Sequence, residues 1–167
     1  MKEIIEAFLY EILGKELSVF ICSMLPVIEL RGSIPMAFAL GMPWWETYII
    51  SVIGNMVPVP IILIVINSLL KWMSASKIKL CNIFANFLLG KIEKNRARIE
   101  KYSFWGLCFF VAIPLPATGA WTGAMVAATI GLKPWKAILS TFLGVLIAGA
   151  IVTLIVYGGI GFLAWLL

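Results

Sequence analysis

"IELRGSIP", Ile28 to Pro35, lies inside a stretch that otherwise reads as a membrane segment, preceded by "LSVFICSMLPV" (17–27) and followed by "MAFALGM" (36–42). Glu29 and Arg31 therefore stand in the middle of the first long apolar run. On scales drawn from membrane insertion, each such charge costs about 2.5–3.5 kcal/mol at a helix centre. Another feature of the fold has to offset that cost. Ionisable residues at this depth are functional by default, so the pair marks the first candidate site.

The rest of the chain explains why the run is read as a membrane segment. The 167 residues are 62% hydrophobic and 13% charged, with mean hydropathy +1.05. Soluble domains are nearer half apolar and a quarter charged. The expectation is one all-α, polytopic membrane domain over 1–167, in the cell membrane. The acids Glu3, Glu6, Glu11 and Glu16 lie where a secretory signal wants a basic segment followed by a bare apolar one. The net charge of +5 does not indicate nucleic acid, because the basic residues concentrate in one loop. Cys22, Cys81 and Cys108 are scattered without ligand spacing and read as small hydrophobes. All eight acids are Glu and there is no His, so histidine triads, histidine metal sites and paired-Asp chemistry are excluded. The residues point to no cofactor, no metal and no catalytic group, and hence not to an enzyme.

Hydrophobic periodicity divides the chain. Residues 1–16 put Ile4, Ile5, Phe8, Leu9, Ile12 and Leu13 on one face, predicting an amphipathic helix in the membrane interface. Residues 17–70 hold a broken apolar run, with Pro26 and Pro35 flanking the charged pair. A segment at 47–70 follows that is long enough to span, with a kink at Pro58 and Pro60. Residues 71–101 carry eight Lys or Arg against two Glu, which places this linker in the cytoplasm. Its stripe of Cys81, Phe84, Phe87, Leu88, Ile92 and Ile99 predicts a second interfacial helix. Residues 102–167 repeat the plan: an apolar run broken at Pro114 and Pro116, then a span at 137–165, where Gly144, Ala148 and Gly149 permit close helix packing.

The halves align without a gap when shifted by 90 residues. Phe20, Leu25, Pro26, Ala37, Gly41, Trp45 and Gly54 fall on Phe110, Leu115, Pro116, Ala127, Gly131, Trp135 and Gly144. Pro, Gly and Trp carry much of the match, and these residues have positional meaning, so an internal duplication is the preferred reading. Two topologies fit. If each broken run spans, the repeats are parallel. If each dips in and returns, the repeats are inverted, with two re-entrant helical hairpins each followed by a transmembrane helix. Charge counting does not choose between them, because each model exchanges Lys2 and Lys15 for Lys133 and Lys136. The breakers at both ends of the charged tip favour re-entrant hairpins whose unwound tips meet near the midplane.

At such a junction Glu29, Arg31, Gly32 and Ser33 would face Thr118, Gly119, Trp121 and Thr122 across a small polar pocket, with Asn55 as a third contributor. Arg31 suits bidentate contact with phosphate or carboxylate. Burial and the neighbouring guanidinium push Glu29 in opposite directions, which makes it a candidate for proton coupling. Trp121, at the position of Arg31 in the 90-residue register, is expected to pack on substrate or on Arg31. Asn55 alternatively serves the kinked backbone near Pro58. Trp44, Trp45 and Trp135 read as interfacial anchors.

"ELRGSIPMAFALGMP" (29–43), followed by "PLPATGAWTGAMVAATIGL" (114–132), resembles the family of small multidrug export proteins. That family is similar, more distantly, to the DedA and VTT-domain membrane proteins. The resemblance implies two opposed re-entrant hairpins and a transporter or lipid translocase, linked to proton-dependent movement of polyprenyl-phosphate carriers or phospholipids. The DedA-like motif has an arginine in the second hairpin, where this chain has Trp121 among threonines. The partners expected are membrane lipids, an anionic lipid or small-molecule substrate, protons and a second copy in a homodimer, with no nucleic acid. A cation exporter and a purely structural assembly protein are the alternatives.

Overall fold

The computed structural model describes residues 14–75, 96–114 and 118–159. The predicted interfacial helix at 1–16 falls outside them except for its last three residues. The apolar stripe from Cys81 to Ile92 and the breaker Pro116 fall outside as well.

Every regular element among the described residues is helical: α1 (Lys15–Met24), α2 (Glu29–Ala39), α3 (Trp44–Met56), α4 (Pro58–Ala75), α5 (Arg96–Ala112), α6 (Ala120–Thr129) and α7 (Pro134–Thr153). A π-helical turn, Leu154–Gly158, extends α7. Two stretches are long and apolar enough to cross a membrane, Trp44–Leu69 with 26 residues and Pro134–Gly158 with 25. At 1.5 Å per residue each exceeds the roughly 30 Å of hydrocarbon. By contrast α1 and α2, with 10 and 11 residues, reach only about 15–17 Å each.

These helices are built to be solvated by lipid. On α3 the buried residues are Thr47, Ser51, Val52, Gly54 and Asn55. The large apolar side chains Ile49, Ile53, Val57, Ile61, Ile64 and Val65 point outward. On α7 the buried face is Ala137, Ser140, Thr141, Gly144, Val145, Ala148, Gly149, Val152 and Thr153. Small residues inside and bulky ones outside are what a membrane rewards, since close backbone approach, rather than water exclusion, drives association there.

The 90-residue register recurs in local structure. Gly41 and Gly131 have φ +71° and +72°, where glycine carries no Cβ penalty. Each sits in the same helix-ending turn. Gly41 and Met42 donate to Phe38 and Ala37, and Gly131 and Leu132 donate to Ala128 and Ala127. Gly54 and Gly144 mark where the first arm of each half presses on the following long helix. A Cβ at Gly54 would lie 2.6 Å from the Phe20 carbonyl oxygen, and one at Gly144 would lie 2.7 Å from Cβ of Val111. Thus α1 packs on α3 and α5 on α7, while α6 crosses to α4 and α2 to α7. One apolar core runs through both halves, from Leu30, Ile34 and Val52 to Leu107, Val111, Ala124 and Val145.

Side-chain bonds fix which ends meet. Lys15 Nζ donates to the carbonyl of Leu40 (2.7 Å), so the start of α1 and the end of α2 lie together. The Tyr157 hydroxyl donates to the Met42 carbonyl (2.9 Å) and accepts from Thr47 Oγ1 (2.8 Å), bringing the end of the second long helix to the start of the first.

One sequence expectation is corrected. The tip between Pro26 and Pro35 is not unwound, because α2 begins at Glu29 and runs through Pro35. The proline removes the bond its N–H would have given to Arg31, and it lies on an exposed position while Ile34, Met36 and Ala37 are buried. Only Leu25–Ile28 interrupts the hairpin.

Candidate functional site

The two interrupted helix pairs abut at their breaks, and the charged residues of the first meet the helix ends of the second. Glu29 is the non-glycine residue with positive φ (+48°) among the described residues. That backbone is uncommon for a residue with a side chain and collects at functional sites. It swings the carboxylate out of the α2 pattern and across to the first turn of α6. There Oε1 accepts the Trp121 backbone N–H (3.3 Å), and the carboxylate lies on Gly119, where a Cβ would overlap it. A helix N-terminus carries unpaired N–H groups and a partial positive charge. The buried carboxylate is therefore met by a positive end.

Arg31 has the opposite complement. One guanidinium nitrogen donates to the carbonyl of Ile113 (3.2 Å), just past the end of α5. It also donates to the carbonyl and hydroxyl of Thr118, the latter at 3.1 Å. Carbonyls left over at a helix C-terminus carry partial negative charge. Hydrogen bonds to a charged group contribute about 1.5–3 kcal/mol each. That is comparable with the roughly 2.5–3.5 kcal/mol required to hold a charge in the membrane. The cost of Glu29 and Arg31 is offset by the broken ends of the facing hairpin.

The arrangement is reciprocal. Trp121 donates its indole N–H to the carbonyl of Met24 (2.9 Å), the last residue of α1. Arg31 and Trp121, 90 residues apart, thus each donate to the end of the first arm of the opposite hairpin. Trp121, expected to pack on substrate or on Arg31, makes this bond through its indole nitrogen. Its polar N–H performs at Met24 what the guanidinium performs at Ile113.

Between the hairpins lies a cleft of about 410 Å³ lined by Glu29, Arg31, Gly32, Gly119, Trp121, Thr122 and Met125, with Pro26, Val27 and Ile28 along one edge. Six of the nine residues expected at the site line it together. Thr118 stands behind Arg31 and donates to the Ile113 carbonyl (2.8 Å). The Thr122 hydroxyl is engaged locally, accepting the Gly119 N–H (2.8 Å) at the start of α6. Ser33 is directed away and pairs with Ser51 (2.9 Å) in the core. Asn55 is not in the lining; it is 1% exposed, and neither its Oδ1 nor its Nδ2 has a hydrogen-bond partner. Sequence reasoning missed Met125 and the carbonyls of Met24 and Ile113. No residue type signals a carbonyl acceptor, although the breaks after α1 and α5 do.

A buried carboxylate and a half-buried guanidinium line one cleft where four helices end within an apolar helical bundle, and two further stretches are long and apolar enough to cross a membrane. The chain belongs to the family described as "Putative small multi-drug export protein", which matches residues 29–151. The match begins at Glu29 itself and runs from the second arm of the first hairpin through the second hairpin and most of α7. No curated protein matches the chain. No solved structure does either.

Proposed function

We propose that the chain is a multi-pass transporter of the cell membrane whose substrate binds in the cleft between the hairpins. In this reading the hairpins are re-entrant from opposite faces and form an inverted repeat. The short arms α1 and α2 support it, as does the Lys15–Leu40 bond that returns α2 to the side where α1 began. Tyr157 at Met42 supports the opposition, because it runs the second long helix antiparallel to the first. Half-helices broken at matching positions are the usual frame of a transport site.

The substrate class follows from the charge of the cleft. Arg31 cannot be neutralised at physiological pH, whereas Glu29 can be protonated. With Glu29 neutral the cleft carries one positive charge beside the start of α6, which favours an anion. A phosphate-bearing lipid carrier or small anion is the substrate this supports, with proton coupling through Glu29, in the manner of a DedA-like translocase. The carrying observation is that Glu29 and Arg31 line one cleft. The family description favours a second reading, export of a lipophilic cation held by ionised Glu29.

Binding distinguishes them. Purified protein in detergent is heated with a short-chain polyprenyl phosphate or with ethidium. A ligand of the folded state raises the unfolding temperature by mass action. The phosphate is expected to stabilise the native protein but not Arg31→Lys. Stabilisation by ethidium alone, lost in Glu29→Gln, would establish the cation reading instead.

A further inference from the structure

Asn55 is the expected site residue that the cleft leaves unused. It belongs to α3, inside the long apolar stretch Trp44–Leu69. It is 1% exposed, and among the described residues neither polar atom of its carboxamide has a hydrogen-bond partner. Burying an amide in that way is costly unless something pairs with it. The turn it sits in is short of donors. Pro58 and Pro60 have no N–H to give to the carbonyls of Gly54 and Met56. Val57 divides its own N–H between Ile53 and Gly54 (3.2 and 3.3 Å). α3 ends at Met56, and the C-terminal end of a helix carries partial negative charge. On α7 a second fully buried oxygen has no partner, Thr141 Oγ1. The register sets the two at one level. The Tyr48 hydroxyl donates to the Leu146 carbonyl (3.0 Å) and its ring lies on Gly149, on helices that run antiparallel. Seven residues on from Tyr48 is Asn55. Seven back from Leu146 and Gly149 are Leu139 and Phe142, with Thr141 between them on the buried side.

We infer that this crossing is a sodium site, with the Asn55 carboxamide oxygen, the Thr141 hydroxyl and carbonyl oxygens of the proline-broken turn as its ligands. The ligands offered are all oxygens beside the negative end of a helix, which selects a cation. None is a carboxylate, the group that holds Ca2+ and Mg2+, so the ion is monovalent. The two long helices approach closely here, since a Cβ at Gly149 would lie 3.0 Å from the Tyr48 ring. That favours sodium over the larger potassium. Carbonyls at a break in a membrane helix are the usual ligands for such an ion. Asn55 and Thr141 are not in the lining of the cleft. The site therefore adds an ion that the cleft does not bind, and it does not rest on the proposed function.

The test reads ion binding without any transported substrate. Purified protein in detergent is heated in choline chloride, with sodium or potassium chloride substituted at constant ionic strength. Sodium is expected to raise the unfolding temperature by roughly 3–5 °C for each tenfold step above its dissociation constant. Asn55→Leu should abolish that rise. In choline it should unfold no earlier than the native protein, because an unpaired amide has been removed. Asn55→Asp keeps an oxygen in place and should retain the rise, and Thr141→Val should weaken it. Glu29→Gln removes the acid of the cleft and should leave the rise intact. A rise that survives Asn55→Leu, or that vanishes in Glu29→Gln, would place the ion elsewhere and overturn the site. So would equal unfolding temperatures in the three salts, or a rise produced by potassium in preference to sodium. Loss of anion binding at Arg31 with the sodium rise intact would refute the transport reading and leave this site standing.

Discussion

The carboxylate of Glu29 occupies the space that a side chain would need at Gly119, and it accepts the N–H of Trp121 two residues on. Gly119→Ala is therefore expected to eject the carboxylate from the start of α6 and to forfeit about 1.5–3 kcal/mol, the contribution of a hydrogen bond to a charged group. Gly106, in the middle of α5, has open space around it. Gly106→Ala should cost nothing and can add about 0.5–1 kcal/mol by stiffening the unfolded chain. Loss of folded protein on heating in detergent measures both, and equal behaviour of the two variants would show that the cap does not form.

Removing one of the two charges should be worse than removing both. Arg31→Ala leaves Glu29 buried without its neighbour and takes the charged donor from the Ile113 and Thr118 carbonyls, a loss of about 3–5 kcal/mol. The double variant Glu29→Gln, Arg31→Met is expected to regain much of that stability while losing transport. A double variant that transports normally would reduce the pair to a structural fastening.

One buried hydroxyl pair of the first half has no counterpart in the second, and that difference predicts opposite outcomes. Ser33 and Ser51 pair in the first half, whereas 90 residues on the places are taken by Gly123 and Thr141, and Thr141 Oγ1 has no partner. Ser51→Ala should cost about 1–3 kcal/mol by stranding the hydroxyl of Ser33. Thr141→Val keeps the shape, removes an unpaired hydroxyl and should leave the unfolding temperature equal or higher.

Opposed hairpins require the loops that follow them to lie on opposite faces. Pro43→Cys and Lys133→Cys, both at exposed positions in the turns before the two long helices, should label from opposite sides of intact cells. Lys133 belongs on the cytoplasmic side with the basic linker. Labelling from one side would establish parallel repeats.

Much of this arrangement was legible because it is local. The glycines at 41 and 131 and at 54 and 144 share one offset that relates the halves, and Gly144 reads as a place of close packing. The charged pair announced a site because a lipid solvent penalises charge so heavily. What remained hidden is non-local. Glu29 meets Trp121 and Arg31 meets Ile113 across more than 80 residues, and the partners are backbone groups whose availability depends on where helices stop. Pro35 misled because a proline on an exposed face, with buried residues on either side, is tolerated where packing holds the helix. Trp121 seemed a departure from a basic residue, yet what the position supplies is an N–H donor, which indole and guanidinium share.

Leaflet-to-leaflet movement in reconstituted liposomes tests the central claim most directly. Vesicles hold a labelled polyprenyl phosphate, an imposed pH gradient is set across the membrane, and a parallel set holds an ethidium-like cation. Anion binding requires Glu29 protonated, so affinity should rise as pH falls, and the lipid should be taken up on the acidic face and released on the other. Glu29→Gln fixes the neutral form and should bind equally at every pH, with the gradient no longer driving movement; Arg31→Lys should move nothing. The account predicts gradient-driven movement of the phosphate lipid that requires both residues. Cation flux that depends on Glu29, with no movement of the anionic lipid, would contradict it.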